Sequence, residues 1–334
     1  MNFETIPKIE DSEFYIDQAF RRAKKRYDLI KKTLKLDDKL KKEYILNKER
    51  FIQIKDSIAK DFDRILERFP FYDKLSDFYK ELFKCYVDIR MYKKSLAAIK
   101  WAKEKIEDVC MSGIKEMRGM QTVIQLRNKR KAVYGRVVSF INRIDKNLKY
   151  LEEARKKIKE FPDIKDDRFK VVITGFPNVG KSTLLKKLTG SEVEVNNYAF
   201  TTKQLLTGNV KFRFFKIQVI DAPGTLNREK KNDIEKQADI AIKHAAELII
   251  YVFDLTEPYP LSDQLKLYNQ IKKQNKNKPL IVYLSKTDIL EKEKIAEFKR
   301  EYKIDFFTDV EALKKEIFKT IDSLSKKRKK EIIS

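Results

Sequence analysis

Glycine, cysteine and histidine are scarce in this sequence of 334 residues, which contains eight, two and one of them, respectively. Cys85 and Cys110 both stand in helical sequence. With a single histidine they provide neither a metal-ligand spacing nor a disulfide framework. His244 is predicted to be a solvated helix residue, so no Cys/His catalytic pair can be built around it.

Long apolar runs are missing too. No stretch approaches the roughly 18 apolar residues that a membrane-spanning helix needs, and the N-terminus lacks the apolar core of a signal peptide. We therefore expect a cytoplasmic protein that does not engage a membrane.

Acidic residues are too few to balance the basic ones. The chain has 75 Lys and Arg against 51 Asp and Glu, a net charge of +24 and a pI near 9.6. Such a field favours polyanions, either nucleic acid or an anionic membrane surface. Charge-rich surfaces also mark proteins adapted to high temperature, but those usually balance the two signs. The one-sided excess favours an RNA or DNA partner.

Residues 1–162 contain few strand signals and show strong helical periodicity. Apolar side chains recur every three or four residues in three stripes, which begin at Phe51, Leu75 and Tyr134. Each stripe gives a helix one apolar face, which predicts an antiparallel helical bundle. Pro70 and the Gly113–Gly119 region are predicted to interrupt the helices.

Basic side chains dominate the polar faces of this bundle. Charge runs are usually solvated surface, but eight cations against the single acid Asp145 in residues 121–150 also form a polyphosphate footprint. We therefore predict that the bundle contacts nucleic acid. The eight cations are Arg127, Lys129, Arg130, Lys131, Arg136, Arg143, Lys146 and Lys149, and a second cluster comprises Arg21, Arg22, Lys24, Lys25 and Arg26.

The remainder of the chain alternates between strand and helix patterns. Residues 163–168 are predicted to be a linker, 169–325 an α/β domain, and 326–334 a basic tail. The runs Ile217–Ile220, Leu248–Phe253 and Leu280–Leu284, which are apolar apart from Gln218, are typical of central strands covered on both faces. We expect a mostly parallel sheet with helices on both faces, preceded by the all-α bundle.

A phosphate-loop motif lies at the start of the α/β domain. Gly175–Thr183 fits G-x-x-x-x-G-K-[ST] between a predicted strand and a predicted helix. Backbone N–H groups in such a turn form an anion cradle at the positive end of the helix. Gly175 and Gly180 permit the tight backbone, Lys181 supplies a charge for the β- and γ-phosphates, and the Ser182 hydroxyl can bind Mg²⁺.

Three further motifs follow in an order that predicts a GTP-binding switch. Tyr198–Lys203 contains Thr202, chosen over Thr201 as the residue that binds Mg²⁺ and senses the γ-phosphate. Asp221-Ala222-Pro223-Gly224 ends a strand, where Asp221 can hold Mg²⁺ through water and the Gly224 N–H can bind the γ-phosphate. In Ser285-Lys286-Thr287-Asp288, the last carboxylate can accept both N–H groups of guanine, which adenine lacks.

These motifs define the predicted nucleotide site. Its residues are Gly175, Phe176, Pro177, Asn178, Val179, Gly180, Lys181, Ser182, Thr183, Thr202, Asp221, Ala222, Pro223, Gly224, Thr225, Ser285, Lys286, Thr287 and Asp288.

In order and wording the motifs resemble those of the Obg-related GTPases, and most of all the nucleolar GTP-binding proteins of large-ribosomal-subunit assembly in their shorter archaeal form. The likeness spans the basic bundle, the phosphate loop, Tyr198–Lys203, Asp221–Gly224 and the strand Leu248–Leu255. It implies GTP hydrolysis to GDP with Mg²⁺, ribosome biogenesis as the process, and binding to large-subunit rRNA or a pre-ribosomal particle, with ribosomal proteins as further partners. We expect a monomer.

Two departures from the family pattern affect chemistry. The usual base motif begins with Asn, so Ser285 shortens the side chain that braces the loop and reaches the purine. Thr225 stands where many GTPases place a Gln that orients the attacking water, so intrinsic hydrolysis should be slow unless a partner supplies the missing group. In GTPases that resemble this one at Asn178, the carboxamide helps to hold K⁺, so K⁺ stimulation is a hypothesis.

Two other functions fit the sequence. One is a signalling switch outside the ribosome whose bundle binds a protein. The other is a structural module that binds GTP and hardly hydrolyses it.

Overall fold

The computed structural model of the chain describes residues 3–165, 167–190, 193–197, 204–213, 215–222 and 239–333. Its contacts divide the chain into two units. The helical unit comprises Phe3–Lys74 and Phe83–Lys159, and the α/β unit comprises Leu75–Leu82 together with the chain from Glu160 onwards.

The described residues of the first half of the chain form six α-helices. The third of them crosses the boundary between the two units, at residues 82 and 83. Their bounds are α1 Ser12–Thr33, α2 Lys39–Arg68, α3 Asp77–Tyr86, α4 Ile89–Met117, α5 Val123–Arg143 and α6 Asp145–Lys159.

Polar caps explain where the long helices begin. Asp11, Asp38 and Asp88 each accept a hydrogen bond from backbone N–H groups in the first turn of α1, α2 and α4. Thr122 and Gln125 form a reciprocal capping box at the start of α5. Such caps satisfy N–H groups that have no partner within the helix.

The core of the helical unit is the set of apolar stripes. Helix α2 packs against α1 and α4, and α4 packs against α5 and α6. On α2, Phe51, Ile54, Ile58, Phe62 and Ile65 are all buried. Burial of such side chains stabilises a fold by roughly 1.5–3 kcal/mol each. The predicted helical bundle is confirmed.

The predicted break at Pro70 is confirmed, since α2 ends at Arg68, whereas the break in the Gly113–Gly119 region begins only after Met117. Gly113 lies inside α4, where an added Cβ would stand 2.8 Å from Val133 Cγ2, so this glycine allows α4 and α5 to approach closely. The stripe from Tyr134 continues through two helices, because α5 ends at Arg143 and α6 begins at Asp145. Ile144 between them has φ −97° and ψ 4° and remains buried, so the apolar face is continuous across the bend.

The α/β unit is built on a six-stranded sheet with the order β2-β3-β4-β1-β5-β6. The pairs β4–β1, β1–β5 and β5–β6 are parallel, whereas β2–β3 and β3–β4 are antiparallel. The strands are β1 Phe169–Thr174, β2 Val193–Asn197, β3 Gln204–Phe212, β4 Phe215–Asp221, β5 Leu248–Asp254 and β6 Leu280–Ser285.

Helices alternate with these strands along the chain. We number the described ones α7 Lys181–Thr189, α8 Leu261–Gln274, α9 Lys292–Tyr302 and α10 Val310–Ile333, and a π-helical turn, Ala241–Ala245, precedes β5. All seven residues of β5 are buried, as expected for a central parallel strand. The predicted P-loop fold, a mostly parallel sheet with α/β alternation, is confirmed.

Several details of the α/β unit differ from the sequence analysis. The alternation of strands and helices is incomplete after α9, where Phe307 forms an isolated parallel bridge with Tyr283. Helix α10 continues through residues 326–333, which the sequence analysis separated as a tail. Near its middle, Phe318 stacks on Phe212 of β3 with ring centroids 3.8 Å apart.

Residues 162–165, which connect the bundle to the sheet along the chain, are held by hydrogen bonds within the α/β unit. The Tyr79 hydroxyl donates to Pro162 O at 2.9 Å and accepts from the Ile164 N–H at 2.8 Å. Lys165 N–H donates to Gln218 Oε1 on β4, and Gln218 Nε2 donates to Asp163 O. Phe78, Tyr79 and Leu82 of α3 are buried. The first turns of α3 therefore contribute to the core of this unit.

Within the described ranges, no helix is both long and apolar enough to span a bilayer. The same residues contain no cluster of three or more His, Cys, Asp or Glu suited to a metal ion.

Candidate nucleotide site

The phosphate loop joins the end of β1 to the start of α7. Gly175 has φ +148°, and a Cβ there would stand 2.7 Å from Val252 O. Gly180, the residue before α7, has φ +90° and carries no side-chain cap for the helix. The first N–H groups of an uncapped helix are free to bind an anion, which the helix dipole also favours.

Three polar side chains meet beside this loop. Lys181 is 6% exposed, and its Nζ donates to Phe176 O at 2.6 Å. Ser182 Oγ donates to Asp221 Oδ2 at 2.5 Å. The sheet register brings them together, because Asp221 at the end of β4 pairs with Ile173 of β1, just before the loop. The structure thus joins Lys181, Ser182 and Asp221, which the sequence analysis assigned to one site.

The carboxylate of Asp221 is placed to bind a cation. The residue is 8% exposed, and burial raises the pKa of its carboxyl, while the Lys181 charge and the Ser182 hydrogen bond act in the opposite direction. Its Oδ1 is buried without a hydrogen-bond partner among the described residues. A buried carboxylate oxygen without a partner, next to a hydroxyl, is a donor set that fits Mg²⁺, which prefers oxygen ligands.

The middle of the loop divides into buried and exposed positions. Phe176 and Val179 are buried, and the Phe176 ring lies 5.0 Å from that of Tyr259. Asn178 is exposed with φ +60°, a left-handed conformation that Asn tolerates better than most residues. Its predicted role in K⁺ binding stays a prediction.

The base motif follows β6. Ser285 is buried, and its Oγ donates to Phe253 O at 3.0 Å. A Cβ on Gly180 would lie 3.4 Å from Ser285 Cβ, so this serine packs beneath the phosphate loop. Thr287 and the exposed Asp288 belong to a 3-10 turn, Thr287–Ile289, in which Asp288 faces solvent.

Asp254 is a charged residue that the sequence analysis missed. It ends β5, is 0% exposed, and its Oδ2 lies 2.6 Å from Lys286 Nζ. Its backbone N–H donates to Gln264 Oε1, and its carbonyl accepts from Gln264 Nε2. The available signal was an Asp at the end of a wholly apolar strand, the same position that Asp221 occupies on β4.

Part of the predicted site lies outside the described residues. This applies to Thr201 and Thr202 in the first switch motif and to Pro223, Gly224 and Thr225 in the second. Ala222, the last described residue there, is buried, and its N–H donates to Ile173 O at 2.9 Å.

The basic face of the helical unit is partly neutralised. Arg130 pairs with Glu43, Lys129 with Glu116, and Lys149 with Asp145. In the second cluster, Arg22 contacts Asp61 and Arg26 contacts Glu49. Exposed cations remain along α5 and the start of α6, and they include Arg127, Lys131, Arg136 and Lys146.

Comparisons with known protein families match both units. A model described as a 50S ribosome-binding GTPase matches residues 170–286. A model described as the NOG1 N-terminal helical domain matches residues 3–165.

Individual relatives agree with these matches. An uncharacterized protein of Methanocaldococcus jannaschii is 37% identical over 75% of this chain and 73% of its own length. Nucleolar GTP-binding protein 1 of Saccharomyces cerevisiae is 35% identical over 72% of this chain, a match that spans 38% of the yeast protein. Among solved structures, the G domain of the T. maritima FeoB iron transporter is 29% identical, with a TM-score of 0.39 over 46% of this chain and 98% of that chain.

Proposed function

Because this chain belongs to the NOG1-type family of GTP-binding proteins and matches an archaeal relative over 73% of its length, we propose that it hydrolyses GTP to GDP and phosphate as an assembly factor of the large ribosomal subunit. Its basic helical unit docks on rRNA of the subunit or its precursor, and its nucleotide state times binding and release. The protein acts in the cytoplasm.

The observation that carries this proposal is the group formed by Lys181, Ser182 and Asp221 under an uncapped helix start. The backbone N–H groups bind the phosphates, and the Lys181 ammonium exchanges its contact with Phe176 O for the β- and γ-phosphates. Ser182 and Asp221 hold Mg²⁺, which neutralises charge on the phosphates when bound.

Base recognition falls to Asp288 and Lys286. The Asp288 carboxylate is exposed at the end of β6, on the same edge of the sheet as the phosphate loop. Two hydrogen bonds from guanine to this carboxylate select against adenine, which would leave the charge unpaired.

Titration calorimetry with GTP, GDP and ATP in the presence of Mg²⁺ tests the nucleotide part. We expect heat for GTP and GDP, and affinity for ATP that is weaker by at least about a hundredfold, as expected for a site that loses hydrogen bonds to a buried or charged group. Equal affinity for ATP, or absence of heat for all three nucleotides from the folded protein, contradicts the proposal.

Sedimentation with large ribosomal subunits tests the docking part. The protein should pellet with the particles in a manner that depends on GDP or a non-hydrolysable GTP analogue and that weakens steeply as salt rises. Binding that survives RNase treatment and varies little with salt supports a signalling switch whose bundle binds a protein.

Hydrolysis requires its own measurement, since Thr225 stands where many GTPases have Gln. This residue, together with Ser285, favours the second candidate function, a GTP-binding structural module. Single-turnover hydrolysis with and without ribosomal particles separates the two. The hypothesis that Asn178 helps to hold K⁺ is tested by comparing the hydrolysis rate in K⁺ with that in Na⁺. Equal rates in the two salts would contradict it.

A further inference from the structure

The Lys286 backbone adopts a left-handed conformation at the start of the base motif. Its φ is 53° and its ψ is 32°, and the 3-10 turn that carries Asp288 begins directly after it. A residue with a Cβ adopts this region only at a steric cost. Such a conformation persists only where surrounding contacts hold it.

A buried carboxylate provides that contact. Asp254 Oδ2 lies 2.6 Å from Lys286 Nζ, outside hydrogen-bond geometry, so the contact is an ion pair. The Asp254 side chain is 0% exposed, whereas that of Lys286 is 36% exposed. A carboxylate without water depends on its partner far more strongly than a surface one.

The remaining atoms of Asp254 are fixed by hydrogen bonds. Oδ1 accepts from the Thr256 N–H at 2.9 Å and from Thr256 Oγ1 at 2.6 Å. The main chain of Asp254 is bound on both sides by Gln264, at 3.0 and 2.9 Å. The carboxylate is therefore held in one orientation, with Oδ2 directed at Lys286.

Ser285 gives the turn that follows Lys286 little support. Its hydroxyl donates to Phe253 O and so joins β6 to β5, rather than holding the residues of the turn. The ion pair ties Lys286, the first residue after β6, to Asp254 at the end of β5.

We propose that Asp254 is a positioning residue for base recognition: its carboxylate holds Lys286 so that the following turn presents Asp288 to the guanine base. This inference rests on the proposed function, because it specifies how the same site selects its base.

The test compares Asp254→Asn with the unchanged full-length protein by calorimetry. The ligands are GDP, ADP and inorganic tripolyphosphate, each with Mg²⁺. We expect the affinity for GDP to fall about tenfold, because Lys286 loses the carboxylate that holds it in place. The affinity for tripolyphosphate should stay the same, since the hydrogen bonds and the ion pair described for Asp254 go to Thr256, Gln264 and Lys286.

Matched variants separate positioning from general damage. Asp263→Asn removes an exposed carboxylate that pairs with Lys266 on α8, and it should leave both affinities unchanged. In a double-mutant cycle, Asp254→Asn should have little further effect on GDP affinity in the Lys286→Met background, because Asp254 acts through Lys286.

Thr256→Val covers the case in which Asp254→Asn does not fold. It removes one of the two hydrogen bonds that orient the carboxylate, and the same selective loss of GDP affinity should appear at about twofold to threefold.

Three outcomes overturn the inference. They are unchanged or tighter GDP binding by Asp254→Asn, a parallel loss of tripolyphosphate binding, and additive effects in the double-mutant cycle. If the unchanged protein binds tripolyphosphate but does not prefer GDP over ADP, the proposed function fails instead.

Discussion

At the scale of single residues, the phosphate loop depends on positions that tolerate no side chain. Gly175 combines φ +148° with an approach to Val252 O that leaves no room for a Cβ, whereas Gly135 on the exposed face of α5 has open space around it. The two glycines therefore predict opposite responses to the same substitution.

We expect Gly175→Ala to lower the free energy of unfolding by about 2 kcal/mol, because the alanine must adopt a strained backbone. It should also abolish nucleotide binding. Gly135→Ala should raise the free energy of unfolding by about 0.5–1 kcal/mol, since alanine favours helix, and should leave binding unchanged. Urea unfolding and GDP calorimetry check both, and a neutral Gly175→Ala would contradict the described loop geometry.

Asp221→Asn should separate stability from function. Because burial raises the pKa of Asp221, the ionised carboxylate lowers the free energy of unfolding without nucleotide. Below the ordinary carboxyl pKa of about 3.9, the carboxyl is protonated in both states and the free energy of unfolding is not lowered. Above the raised pKa of the folded state, the carboxyl is ionised and the loss of stability is complete. At pH 7 we expect the variant to unfold at the same urea concentration or a higher one.

The same variant should lose Mg²⁺-dependent GTP affinity by about 10–100-fold, because the amide is a poorer cation partner than the carboxylate. Calorimetry with and without Mg²⁺ measures this loss. A variant that is less stable and binds Mg²⁺·GTP normally would place Asp221 in a structural role.

Sequence patterns located the phosphate loop because its residues are contiguous and their spacing is set by local geometry. Lys181, Ser182 and Asp221 meet as predicted, since adjacent parallel strands end at one edge of the sheet. The role of Ser285 beneath Gly180 and the pairing of Asp254 with Lys286 escaped prediction. Both depend on which strands are neighbours and how deeply each side chain is buried, and neither follows from local spacing.

At the scale of elements, the π-helical turn Ala241–Ala245 is closed by a lysine from a distant loop. Lys278 Nζ donates to Ile242 O at 3.0 Å and to Lys243 O at 2.7 Å. A cation at the carbonyl end of a helix complements its dipole. Desolvation lowers the pKa of Lys278 to about 8, and the nearby Glu247 opposes that shift.

This pKa predicts a pH dependence of stability. Between about pH 8 and the ordinary lysine pKa of 10.5, the unfolded chain retains a proton that the folded chain has released. The free energy of unfolding should therefore rise with pH in this window, relative to the Lys278→Met variant. Urea unfolding of both proteins at pH 7, 8, 9 and 10 measures the difference, and a flat or falling difference contradicts the assignment.

Element types were easier to predict than their ends and exceptions. His244, predicted to be solvated, lies half-buried in the π-helical turn, and burial lowers its pKa. A π-turn has no periodicity that distinguishes it from an α-helix. The bend at Ile144 is equally invisible, because the apolar stripe stays in register across it.

At the scale of the whole molecule, the basic side chains of the helical unit differ in how far they are available to a partner. Many basic side chains of the helical unit already pair with acids, so the number of basic residues overstates the number of cations free to bind a polyanion. Arg127 and Lys131 on α5 remain exposed one helical turn apart. They are the positions at which charge removal should affect docking.

We expect Arg127→Gln with Lys131→Gln to weaken binding to large ribosomal subunits and to reduce the slope of log K against log salt by about 2. The control, Lys266→Gln with Lys273→Gln, removes the same charge from exposed positions on α8 of the α/β unit and should leave the slope unchanged. Sedimentation over a salt series measures both. Equal slopes for the two double variants would contradict the proposal that the helical unit binds the ribosomal subunit.

The passage of Leu75–Leu82 into the α/β unit has a practical consequence for dissecting the protein. A fragment that starts at Glu160 would lack Phe78, Tyr79 and Leu82, and with them the hydroxyl that joins Pro162 O to the Ile164 N–H. No single cut yields both units whole, since the described chain passes from one unit to the other between residues 74 and 75, 82 and 83, and 159 and 160. A fragment excised at the apparent junction would therefore lack part of the buried core of the α/β unit, whereas the full chain retains it.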